Sequence, residues 1–119
     1  MTDAIVVFMT AGSADEARHI ADHLVAHRLA ACVQVLPEIE SVYTWKGEVQ
    51  HEKEVLILAK TGVDKFAELE KSVRAIHSYE TPEIIAVRMS DVSEPYRMWL
   101  IESVGAGNQV RPGDPKAVL

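Results

Sequence analysis

The feature that most limits how this chain can fold is the stretch from residue 30 to residue 61, AACVQVLPEIESVYTWKGEVQHEKEVLILAKT. It reads as two long extended arms joined by a tight turn at Lys46-Gly47, where glycine supplies a positive φ. Ile39, Ser41, Tyr43 and Trp45 fall on one face of the first arm, and Val42 and Thr44 on the other. The second arm ends in the apolar block Val55-Leu56-Ile57-Leu58-Ala59. Two arms of about 15 residues reach roughly 50 Å, whereas a domain of about 100 residues has a radius of gyration near 13 Å. Such a hairpin either bends, with Pro37 as the natural place, or pairs its outer half with another subunit. Left uncovered, a hairpin carrying Val42, Tyr43 and Trp45 invites aggregation, so the pattern argues for an obligate oligomer.

The rest of the chain supplies the partners of that hairpin. The run Ala4-Ile5-Val6-Val7-Phe8-Met9 suits a central strand covered on both faces. Ser13 and Glu16 match a capping box, and Ala17, Ile20, Ala21, Leu24 and Val25 continue at helical spacing, which predicts a helix over 14–29. Phe66, Leu69, Val73 and Ile76 form the stripe of a second helix over 64–77. Pro82 opens a fourth strand over 83–89. A last short helix follows Ser93, carries Pro95 in its first turn and stops near Gly105. The order β-α-β-β-α-β plus a terminal helix predicts an α+β, ferredoxin-like domain over 1–106. Residues 107–119, with two prolines and no periodicity, read as a loose tail.

Composition excludes several classes. The net charge of −6 opposes general nucleic-acid binding, which needs a basic face. No apolar run approaches the length of a membrane span, and no signal peptide is visible. Cys32 is the one cysteine, so no intrachain disulfide can form, and a reducing, cytoplasmic setting is the simplest expectation. Glycine-rich phosphate loops, G-x-S-x-G, H-E-x-x-H and C-x-x-C are missing, so an enzyme is not expected.

Residues able to carry chemistry gather at element ends, where binding residues concentrate. Cys32 is either a small buried hydrophobe or a soft ligand suited to copper; as a ligand it needs a second donor, such as His77, a methionine or a symmetry mate. Trp45, Lys60, His77, Tyr79 and Glu83 are the other candidates, with Lys60 as positive charge and Glu83 expected to hold Lys60 or His77. Trp45 is expected to reach the others only from a neighbouring subunit. His19, His23 and His27 stack on one helix face at i, i+4 and i+8, either as a solvated face or as a metal chelate.

Taken together, the motifs Ala30-Ala31-Cys32-Val33, Ser41-x-Tyr43-x-Trp45-x-Gly47, Glu54 through Lys60-Thr61, His77-x-Tyr79-x-x-Pro82-Glu83 and Tyr96-x-x-Trp99 resemble the CutA family of divalent-cation tolerance proteins. The likeness covers about residues 4–103. It implies a ferredoxin-like subunit in a tight homotrimer, with hairpins pairing across subunits, and an architecture similar to PII-type signalling proteins. It implies a link to copper tolerance and to metal-ion response, with copper or another divalent metal as ligand and no required cofactor, and it does not imply an enzyme. The family's inter-subunit cleft maps onto Cys32, Trp45, Lys60, His77, Tyr79 and Glu83, with Cys32 and His77 as metal candidates. The alternative is a signalling or adaptor trimer that binds a small anion through Lys60. Three positions depart from the family pattern: Gln34 for asparagine, Ser78 for proline and Glu38 for glycine. The last makes a left-handed backbone unexpected at 38.

Overall fold

In a computed structural model, which describes residues 3–105, the elements run β1 (Ala4–Ala11), α1 (Ala14–Ala26), β2 (Cys32–Trp45), β3 (Glu48–Gly62), a 3-10 turn (Val63–Lys65), α2 (Phe66–Ile76), β4 (Ile84–Arg88) and α3 (Glu94–Val104). The four strands form one antiparallel sheet in the order β2-β3-β1-β4. That is the ferredoxin-like α+β layout expected from the element order. The segment 107–119 lies outside the described residues.

Strand alternation decides which side chains meet the helices. Ile5, Val7, Met9 and Ala11 of β1 and Val55, Ile57 and Ala59 of β3 are buried on one face. Ala17, Ile20 and Leu24 of α1 and Leu69 and Val73 of α2 complete that core. The opposite face is more open. Ile85 and Val87 of β4 and Leu36 of β2 are exposed large apolar groups. α3 sits at the end of the sheet where β1 begins and β3 finishes: Arg97 pairs with Asp3 at 3.2 Å, and Lys60 Nζ lies 5.8 Å from the Tyr96 ring centroid.

The hairpin is as long as its pattern requires, with strands of 14 and 15 residues and a longest molecular dimension of 50 Å. Trp45 faces Glu48, leaving Lys46-Gly47 as a two-residue loop. Its φ values of 51° and 83° are those of a type I′ turn, whose twist matches the strands. Between Leu36 and Ile39 the register slips at Pro37-Glu38, where a bulge adds local bend. Glu38 takes φ 61°, contrary to expectation. The bulge imposes a left-handed residue there even though the side chain is not glycine.

The first helix stops earlier than its periodicity suggested. Arg28 is left-handed at φ 57°, the Leu29 N–H bonds the Leu24 carbonyl at 2.8 Å, and the Arg28 N–H bonds the Val25 carbonyl at 3.1 Å. This is a Schellman stop, with Leu29 and Leu24 together in the core. An arginine in the position usually held by glycine hides the stop from the sequence.

Glu38 offers a direct test of the bulge. A left-handed non-glycine residue costs about 1 kcal/mol, partly offset by the extra unfolded-state freedom of glycine. Its ion pair with Lys53, 3.5 Å apart and largely exposed on both sides, contributes little. Glu38→Gly should therefore raise stability by about 0.5 kcal/mol, read as a higher urea midpoint with unchanged slope.

Candidate functional site

The loop between α2 and β4 is fastened to the far end of β1 by side chains from three elements. The His77 side chain is fully buried, with Nε2 2.7 Å from the Thr10 carbonyl oxygen. Because a carbonyl only accepts, Nε2 carries the proton. The Tyr79 backbone N–H then donates to Nδ1 at 3.0 Å. Both ring nitrogens are thereby engaged, Nε2 as donor to Thr10 and Nδ1 towards the Tyr79 N–H. His77 acts here as a clamp on the loop.

Glu16 provides the second fastening. Ser13 caps α1 through its Oγ, which accepts the Glu16 N–H at 3.1 Å. The Glu16 carboxylate reaches the loop, accepting the Ser78 N–H at 2.7 Å and the Ser78 hydroxyl at 2.9 Å. Burial alone would raise the Glu16 pKa. The bonds from Ser78, the nearby His77 and the Gly12 backbone together outweigh it and hold the carboxyl below its ordinary 4.5.

Tyr79 provides the third. Its hydroxyl donates to Glu54 Oε2 at 2.8 Å, tying the loop to β3, and its ring centroid lies 4.7 Å from that of His77. Burial first, and then the Glu54 carboxylate, push the phenol well above its ordinary value, so it stays a donor. The close approach requires a small residue at Gly12: a Cβ there would lie 3.3 Å from the Tyr79 hydroxyl.

Between this loop and the outer hairpin lies a cleft of ≈ 550 Å³. Its walls carry the aromatic rings of Tyr43, Trp45 and Tyr79 and the carboxylates of Glu52, Glu54, Glu80 and Glu83, with Lys53 as the basic group. The potential inside is therefore negative. Trp45, Tyr79 and Glu83 line one cleft within a single chain, so Trp45 borders the same space as the loop without a neighbouring subunit. The reason is topological. Thr10 of β1 pairs with Leu56 of β3, so the end of β1, the loop after α2 and the outward-running hairpin all lie at the same end of the sheet.

Cys32 and Lys60 lie elsewhere. They face one another across β2 and β3, beneath Tyr96 of α3. Lys60 is six residues along β3 from Glu54, roughly 20 Å at strand rise. Within one chain, Cys32 does not meet His77, and Lys60 meets neither Tyr79 nor Glu83. Cys32 is buried, and the Tyr96 phenol is pushed up by burial first and then by Cys32. Among the described residues, no three His, Cys, Asp or Glu side chains gather as a ready metal cage. Sequence reasoning passed over Thr10, Glu16, Tyr43, Glu52, Glu54 and Glu80 as site residues. Glu16 had a signal in its capping-box position and Glu54 in its motif.

The comparisons with known proteins bear on the whole of this frame. The profile of the family described as CutA1 divalent ion tolerance protein matches residues 5–103. The chain belongs to that family. The divalent-cation tolerance protein CutA of Thermus thermophilus is 43% identical over 100 residues, covering 84% of this chain and 97% of the relative. A solved structure of the Thermus protein superposes with a TM-score of 0.84 at 42% identity, covering 86% of this chain and 99% of the other. The structure described as the periplasmic divalent cation tolerance protein CutA of Archaeoglobus fulgidus gives 0.84 at 35% identity, with coverage of 86% and 99%. The chloroplastic CutA of Arabidopsis thaliana is 39% identical, and the chain spans 55% of its length. No helix among the described residues is long and apolar enough to cross a membrane.

The Glu16 clamp makes a prediction about acid. A carboxyl held below its unfolded value stabilises the fold fully above that value, and the contribution disappears as pH falls through the folded value. Wild-type stability should therefore drop as pH descends below 4.5, and Glu16→Gln should flatten that part of the curve. Thermal midpoints of the two proteins across an acid series check this.

Proposed function

We propose that the protein works as a homotrimer in the response to divalent cations and that each acidic cleft takes up the cation. The observation that carries this reading is the charge of the cleft: four carboxylates line it, against the single ammonium of Lys53. Carboxylate oxygens suit hard divalent ions such as Mn²⁺. The family name points the same way. The alternative, an anion held by Lys60 in this cleft, is opposed by the same charge and by the position of Lys60 at the other end of β3.

Trimer formation is supported by apolar surface that a lone subunit leaves in water. Val42, Trp45 and Val49 on the hairpin, and Ile85 and Val87 on the edge strand β4, are each more than half exposed. Patches of this kind mark interaction sites. Copies that cover one another would bury them and satisfy the edges of β2 and β4.

Both parts can be measured. Calorimetric titration with Mn²⁺ should show binding that weakens roughly tenfold, about 1.4 kcal/mol, in Glu54→Gln and again in Glu83→Gln. Wild-type affinity in both variants would remove the cleft from consideration. Light scattering should report a trimer at micromolar concentration, and Trp45→Ala should cost the assembly roughly 2 kcal/mol or more. A stable wild-type monomer would overturn the assembly.

A further inference from the structure

The first helix carries donors that the cleft does not use. His19, His23 and His27 stand one turn apart on α1, counting its C-cap. His27 Nδ1 lies 2.9 Å from the backbone carbonyl oxygen of His23. The carbonyl only accepts, so Nδ1 carries the proton and the neutral ring leaves its Nε2 lone pair free. Metal-bound imidazoles are commonly oriented in this way, with the second nitrogen donating to a carbonyl. In His27 that orienting bond comes from its own helix.

His23 lies beside it, with ring centroids 4.2 Å apart and planes inclined by 31°. Two imidazoles at that separation can share one ion. Burial first, and then the neighbouring His27 and His19, hold His23 below its ordinary 6.5, which favours the neutral form that ligates. His27 borders a groove of ≈ 460 Å³ between the end of α1 and α2, with Glu68, Lys71 and Ser72 on its wall, and His23 reaches that wall through Ser72. This groove is lined by α1, α2 and Leu29, and shares no lining residue with the acidic cleft.

We propose that His23 and His27 form a surface chelate for an exchangeable divalent transition-metal ion, of the class of Cu²⁺, Ni²⁺ or Zn²⁺. Imidazole nitrogen suits these ions, whereas the oxygen-lined cleft suits harder ones. Two protein nitrogens leave the other coordination positions to water. Closed structural sites use four protein ligands, so an ion held by two exchanges readily. Ser72 sets the affinity. Its Oγ lies 2.6 Å from His23 Nε2, and the incoming ion must displace that hydrogen bond.

The test uses Cu²⁺ on the full-length protein, with calorimetry for affinity and electron paramagnetic resonance for the donor atoms. The wild type should show two imidazole nitrogens on copper. His27→Ala, at an exposed position, should keep the wild-type circular dichroism, retain one nitrogen and bind at least roughly tenfold more weakly. Ser72→Ala should tighten binding roughly fivefold by removing the competitor. Glu54→Gln, which weakens the cleft, should leave the signature intact, so failure of the cleft and failure of this site are told apart. An unchanged spectrum and affinity in His27→Ala would overturn the proposal. So would an equal loss in His19→Ala, or unchanged or weaker binding in Ser72→Ala.

Discussion

The position of β1 at the interior of the sheet governs the rest of the molecule. It pairs with β3 on one side and β4 on the other, and its register with β3 fixes where every other element begins. Ala4 opposite Gly62 brings the start of the chain beneath α3, and Ala11 opposite Val55 sends the hairpin outward at the other end. A slip of one residue would turn Ile5, Val7 and Met9 away from the helices and expose the core. The sheet is thus a ruler, and the candidate site lies where β1 runs out and β3 continues.

At that end the α2–β4 loop owes its shape to polar contacts. His77 reaches back to Thr10, Ser78 to Glu16 and Tyr79 to Glu54. Each of the three side chains ties the loop to a different element, so the wall of the cleft is held from three directions. The carboxylates Glu52, Glu80 and Glu83 then face a space whose rim is rigid on the loop side. On the hairpin side the rim is Tyr43 and Trp45, both still exposed.

Much of this was legible in the sequence because it is written in periodicity. The alternation of the hairpin, the apolar runs of β1 and β3 and the stripe of α2 each leave a local mark. The fold class, the turn at Lys46-Gly47 and the closing helix follow from them. Left-handed residues that are not glycine leave no such mark, so the early stop of α1 at Arg28 and the positive φ of Glu38 were hidden, although Pro37 marked the place of the bend. The site divided for a different reason. Its candidates were chosen by residue type, but register sorts them by distance, placing Lys60 and Cys32 at one end and Tyr79, Glu83 and Trp45 at the other. The contacts that hold the loop join residues far apart in sequence, such as Thr10 with His77, and only the folded sheet brings them together.

The pairing of Ile5 with Arg88 joins residues from nearly opposite ends of the described chain. During synthesis the hairpin can close as soon as β3 has emerged, since β2 and β3 are neighbours in sequence. The other edge of β1 must wait for β4, and until then it presents unpaired N–H and C=O groups next to an apolar face. The cleft has no second wall during this interval, because Tyr79 to Glu83 immediately precede β4. A nascent chain of this protein therefore acquires its longest element early and closes its acidic cleft late. Its period of greatest exposure to mispairing falls between the emergence of β3 and that of β4.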